Sequence, residues 1–240
     1  MTVSSESAVS RHDSTRPFRI KVCGVRRPED LDACVEAGVD CVGLNLYPPS
    51  VRYMDPDGTE LPRLAANARE RGLMTVGVFV NESLSQIERL ADLLELDAVQ
   101  LHGEESPQQA ALLTSTGIAV LRAIRLPSGP LEAAQIQHLV EPWIDVADAV
   151  LLDADAGGGF GGSGQRLDWS SIARWHESAV LDGFPWILAG GLSPTNVADA
   201  ITVSGAASVD VASGTESPRG VKSAERIGQF ASEALAAWRL

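Results

Sequence analysis

Aromatic residues are scarce in this chain, at 5% of 240 residues; basic residues are outnumbered and cysteines are few. Nineteen lysines and arginines face 32 aspartates and glutamates, a formal net charge of -13. A nucleic-acid partner needs a basic surplus to neutralise phosphates, and none exists. A small anionic ligand, which needs only local donors, is not excluded. The three cysteines, Cys23, Cys34 and Cys41, are odd in number and form no Cys-x-x-Cys pair. That excludes a disulfide framework and a structural zinc site, and no metal is expected. No apolar run reaches the ~20 residues of a membrane span, and Met1 to Arg16 has no apolar signal segment. The chain reads as cytoplasmic, with no membrane partner; its acidity suits a monomer or a homodimer equally.

What is present is a 45% hydrophobic fraction on a chain long enough for a large core. Residues 1–17 are polar and without periodicity, and read as a disordered leader. From residue 18 to 240, short apolar runs alternate with stretches of helical period. Phe18–Cys23, Cys41–Leu46, Met74–Val80, Ala98–Leu101, Ala119–Ile124, Ala149–Asp153, Trp186–Ala189 and Ser208–Val211 suit strands. Helices are expected between them, with Pro28, Pro107 and Asp168 at starts and Gly38 and Gly72 at ends. A doubly wound sheet shows the same alternation with fewer units. The count of about eight favours a single (βα)8 TIM barrel over 18–240, in the α/β class.

The last two expected strands end in Gly190-Gly191 and in Ser213-Gly214, each before a helix. Free backbone N–H groups and a helix N-terminus form an anion site there, so the substrate is expected to carry a phosphate. Chemistry in such a barrel sits at the C-terminal ends of strands. Cys23 ends the first strand, where a thiol can serve as base or nucleophile, although a lone cysteine is more often a buried hydrophobe. Asp153 ends the sixth after four apolar residues, a position suited to a general acid. Gln100 and His102 flank Leu101 and share a face; His102 reads as a base, an orienting donor or a structural histidine. Arg52, in the loop after the second strand, could hold a carboxylate or simply be solvated. The glycine run Gly157–Gly164 could cradle a phosphate or close over the site.

In order along the chain stand Lys21-Val-Cys-Gly24, Val99-Gln-Leu-His-Gly103, Leu152-Asp153, Gly161-Gly-Ser-Gly164, Asp168-Trp169, Ala189-Gly-Gly-Leu192, Val209-Asp-Val-Ala-Ser-Gly214 and Gly220-Val-Lys222. This set resembles the phosphoribosylanthranilate isomerases, from about Arg19 to Leu240. Departures are Val25-Arg26, where the family more often has an aliphatic residue and Thr, and Ala212 and Ser223, more often Ser and Asp.

The resemblance implies an enzyme of tryptophan biosynthesis that performs an Amadori rearrangement of N-(5-phosphoribosyl)anthranilate without a cofactor. It implies Cys23 as general base, Asp153 as general acid and Arg52 on the anthranilate carboxylate. Gly190, Gly191, Ser213 and Gly214 would hold the phosphate, with Gln100 and His102 among the substrate-binding groups. A histidine-pathway aminoaldose isomerase would want two aspartates, one on the first strand where Cys23 stands. An indoleglycerol-phosphate synthase would want a lysine acid, and a non-catalytic binding barrel would need neither Cys23 nor Asp153.

Overall fold

Alternation along the strands divides the buried residues of the protein between two cores. The computed structural model describes residues 16–155, 166–179, 181 and 183–239. Most of the expected leader and the whole glycine run 157–164 lie outside them. Eight parallel strands close into a barrel in chain order. They are β1 (Ile20–Cys23), β2 (Cys41–Asn45), β3 (Met74–Phe79), β4 (Ala98–Leu101), β5 (Val120–Leu126), β6 (Ala149–Ala154), β7 (Trp186–Leu188) and β8 (Val209–Val211). Each is followed by a helix: α1 (Pro28–Glu36), α2 (Glu60–Glu70), α3 (Leu84–Leu94), α4 (Pro107–Ser115), α5 (Ala133–Val140), α6 (Trp169–Ser178), α7 (Val197–Ser204) and α8 (Ala224–Ala237). The expected TIM barrel is therefore the observed architecture.

Val42, Val150, Leu152 and Leu188 face outward and pack with helix residues such as Ile87, Leu113, Trp175 and Phe230. Their neighbours Cys41, Ala149, Leu151 and Ile187 belong to a second cluster that includes no helix residue, which makes it the barrel interior. Phe18 belongs to this inner cluster. The first strand starts at Ile20 rather than at Phe18.

Polar residues set the strand starts. Asp40 accepts from the N–H groups of Arg19 and Ile20, both at 2.8 Å. Asp97 does the same for Thr75 at 2.7 Å, and Asp148 for Val120 at 2.7 Å. Each of these aspartates precedes one strand and satisfies the start of its neighbour, so it locks the register at the N-terminal face. Ser106 and Gln109 form a reciprocal cap on α4, and Asp168 caps α6 by accepting from Ser170 N–H at 3.0 Å, as expected. The last helix ends at Ala237, where Trp238 turns its Nε1–H onto Ala206 O at 2.7 Å.

Candidate active site

One cavity opens at the C-terminal ends of the strands, and it gathers residues from positions 23 to 213. Cys23, Arg52, Gln100, His102, Asp153, Gly190, Gly191 and Ser213 all line it. Gly214 lies just outside, in an adjoining groove shared with Gly191 and Ser213. Period-two alternation explains the convergence. Asp153 follows Ala149 and Leu151 on the inward face of β6, and Cys23 follows Lys21 on β1.

Beneath the cavity a polar chain crosses the barrel. Lys21 is fully buried and its Nζ donates to Asp210 Oδ1 and to Gln100 Oε1, both at 2.9 Å. Because an ammonium only donates, the Gln100 oxygen must face it, which leaves the amide nitrogen toward His102 Nδ1 at 2.9 Å. His102 Nδ1 is then an acceptor and the ring proton sits on Nε2. That nitrogen is buried, lies 3.2 Å from Asp153 Oδ2, and lacks the alignment of a hydrogen bond. Asp153 Oδ1 accepts from its own neighbour, Ala154 N–H, at 2.8 Å. Burial works against the charge of Lys21, but Asp210 and the thiols of Cys23 and Cys41 outweigh it and hold the ammonium above its ordinary value.

Cys23 stands opposite Gly43 of β2, where an added Cβ would come within 2.8 Å of the sulfur. Burial pushes the thiol above its ordinary value. Lys21 opposes this, Asp210 adds to it, and Lys222 and Arg52 draw it down.

Arg52 is not the solvated loop residue that its acidic surroundings suggested. It is 6% exposed, and its Nε and Nη2 grip Glu216 at 2.5 and 3.0 Å. Its Nη1 has no hydrogen-bond partner among the described residues. Gly24, at φ 81°, makes room for this side chain: a Cβ there would stand 2.3 Å from Arg52 Cδ. Glu216 also accepts from Gly220 N–H at 2.9 Å and Lys222 Nζ at 3.2 Å. Burial alone would raise the Glu216 carboxyl; these donors outweigh it and hold the group below its ordinary value.

After β7 and β8 the two turns touch. A Cβ on Gly214 would lie 2.0 Å from Leu192 O, so only glycine permits that approach. Gly190 and Gly191 both have positive φ. None of the N–H groups of Gly190, Gly191, Leu192, Ser213 and Gly214 donates to another group among the described residues, so they remain available to an anion. Arg166 lines the same groove.

Lys21, Asp210, Glu216 and Lys222 were not identified as site residues from the sequence. Three of them stood inside quoted motifs, but Lys21 and Asp210 pair across 189 residues, and Glu216 with Arg52 across 164. Among the described residues, no group of three His, Cys, Asp or Glu side chains could hold a metal ion, and no helix is long and apolar enough to cross a membrane.

Comparison with known proteins places this arrangement. A sequence model of the family described as N-(5'phosphoribosyl)anthranilate (PRA) isomerase matches residues 20–233. The N-(5'-phosphoribosyl)anthranilate isomerase of Rhodospirillum rubrum is 41% identical over 217 residues, covering 88% of this chain and 94% of the relative. The crystal structure of phosphoribosyl anthranilate isomerase from Thermotoga maritima is similar at a TM-score of 0.78 and 34% identity, over 91% of this chain and 99% of that one. A phosphoribosyl anthranilate isomerase in complex with reduced 1-(o-carboxyphenylamino)-1-deoxyribulose 5-phosphate is similar at 0.75 and 32%, over 91% and 99%.

Proposed function

This chain belongs to the N-(5'-phosphoribosyl)anthranilate isomerase family, and we propose that its cavity divides the Amadori rearrangement between Asp153 and Cys23. The enzyme is an aldose–ketose isomerase of tryptophan biosynthesis acting on a small phosphorylated substrate. Asp153 protonates the furanose ring oxygen, and the ring opens to a Schiff base. Cys23 then takes the proton from C2′, and the enolamine tautomerises to the ketone. Hydrogen moves from C2′ to C1′ within one molecule, so the reaction balances without an external oxidant.

The observation that carries this reading is the shared cavity: an acid on β6 and a thiol on β1, with an arginine and an anion turn lining the same space. Gly190, Gly191, Ser213 and Gly214 receive the phosphate on free N–H groups. Arg52 offers Nη1 to the anthranilate carboxylate, its other edge being fixed by Glu216. Anchoring both ends leaves the reacting carbons between the two proton-transfer groups, which is where binding energy becomes rate. His102 places Nε2 3.2 Å from Asp153 Oδ2, while Gln100 sets its tautomer. The reaction is assigned to the cytoplasm, where three free thiols stay reduced.

Phosphoribosylanthranilate formed in situ and mixed with the enzyme should lose anthranilate fluorescence in proportion to enzyme added. Persistent fluorescence, while a reference isomerase removes it in a parallel mixture, would reject the reading.

A further inference from the structure

The groove beside the main cavity draws on three consecutive strand-to-helix connections. The turns after β7 and β8 form most of it, and Arg166, just ahead of α6, supplies the rest. Gly191, Leu192 and Ser213 line the cavity and the groove alike, so the two spaces meet at these turns. Among the described residues, Arg166 is the one charged side chain lining the groove. Asp168, two residues on, is taken up in capping α6, where it accepts from Ser170 N–H at 3.0 Å and Ser171 Oγ at 3.2 Å. The guanidinium carbon of Arg166 stands over the Trp169 ring, 5.7 Å from its centroid, and the side chain is exposed.

The polar groups of the groove are donors in excess. Asn196 donates to Gly191 O at 3.0 Å and accepts from Ser193 N–H at 2.8 Å, which pins the turn after β7. Arg226 Nε donates to Gly214 O at 3.0 Å and pins the turn after β8. Both glycine carbonyls are therefore spent. The hydroxyls of Ser193 and Thr195 lie 3.0 Å apart and share one proton, which leaves the second to be given elsewhere. Unspent N–H groups, one hydroxyl proton and a guanidinium suit a multiply charged oxyanion.

We propose that Arg166 completes the phosphate site as the cation that meets the substrate's phosphate. The proposal rests on the reading of the two turns as the phosphate anchor. Lys21 and Lys222 are already paired with Asp210 and Glu216, and neither lines the groove. Without Arg166 the backbone N–H groups would meet the phosphate with partial charges alone.

Inorganic phosphate is the probe. It should compete with substrate in the wild type. Arg166→Met should raise KM and the phosphate inhibition constant together, each about tenfold, the worth of one hydrogen bond between charged groups. The effect should fall little on kcat, as for a contact made equally in the ground and transition states. Arg166→Lys keeps the charge and should recover part of the loss. Added sodium chloride should weaken phosphate inhibition more steeply in the wild type than in Arg166→Met. The rise in melting temperature that phosphate gives the free enzyme should shrink in the same variant, a comparison that needs no turnover. Equal phosphate affinity in wild type and Arg166→Met would overturn the proposal and leave the turns standing as the anchor. A fall in kcat as large as the rise in KM would mark a distorted barrel rather than a lost contact, and would overturn it too. Phosphate that does not compete even in the wild type would remove the turns as the anchor, and the role of Arg166 with them.

Discussion

Cys23 owes its place to the absence of a side chain at Gly43. A methyl group there would meet the sulfur at 2.8 Å and the Cys23 Cα at 3.0 Å. Gly43→Ala should therefore cost about 1–3 kcal/mol of stability through overpacking and push the thiol off its line to the substrate. Thermal unfolding and kcat measured on the same sample would show both effects. The roles proposed for Cys23 and Asp153 make a different prediction. Each proton transfer is worth roughly 10²–10⁴-fold, so Cys23→Ala or Asp153→Asn should lose that much turnover with an unchanged circular dichroism spectrum. Near-normal turnover in either variant would remove that residue from the mechanism.

At the scale of elements, the decisive feature is the contact between the turns after β7 and β8. The 2.0 Å approach of a Cβ on Gly214 to Leu192 O means that Gly214→Ala must part the two turns. A displacement of about 1 Å in a positioning group can cost ~10²-fold. The loss in Gly214→Ala should fall mainly on KM, read by steady-state kinetics; an unchanged KM would contradict the phosphate assignment. The segment from β8 to α8 has its own signature in acid. Glu216 is held below the ordinary carboxylate value, so its contribution to stability is complete above that ordinary value and is lost as pH falls through its folded value. Urea unfolding of wild type against Glu216→Gln should show the gap between them narrowing as pH drops through this range. A gap independent of pH would mean that Glu216 is not ionised in the fold.

Across the whole molecule, stability and chemistry occupy different places. Trp175 is fully buried in the outer core, packs edge-on against Trp186 with centroids 5.6 Å apart, and donates to Gln137 Oε1 at 2.9 Å. Trp175→Ala should cost about 3–5 kcal/mol, lowering Tm by about 6–20 °C, while KM measured well below Tm stays the same. A KM that changes with the loss of Trp175 would show that the outer core also shapes the cavity. The chain carries a net charge of -13, yet Lys21, Arg52 and Lys222 are buried inside it, each against a carboxylate.

Local patterning was enough for the barrel. A strand's period of two and a helix's period of 3.6 depend on neighbouring residues, so eight units were legible, as were Cys23, Asp153 and the turns at Gly190 and Gly214 at strand ends. Boundaries were less so: Phe18 is apolar and buried like a strand residue, yet the strand begins at Ile20. What the sequence could not determine was who partners whom. Lys21 and Asp210 are 189 residues apart, and Arg52 and Glu216 are 164 apart; only barrel closure, which sets β8 beside β1, brings them together. Arg52 by itself therefore read as either a carboxylate ligand or a solvated loop residue, and Lys222 only as part of the Gly220-Val-Lys222 motif. The line from Lys21 through Gln100 to His102, which fixes a tautomer, likewise exists only once β1 and β4 face each other across the interior. Periodicity is a local property of the chain, whereas charge pairing in a closed barrel belongs to its tertiary structure.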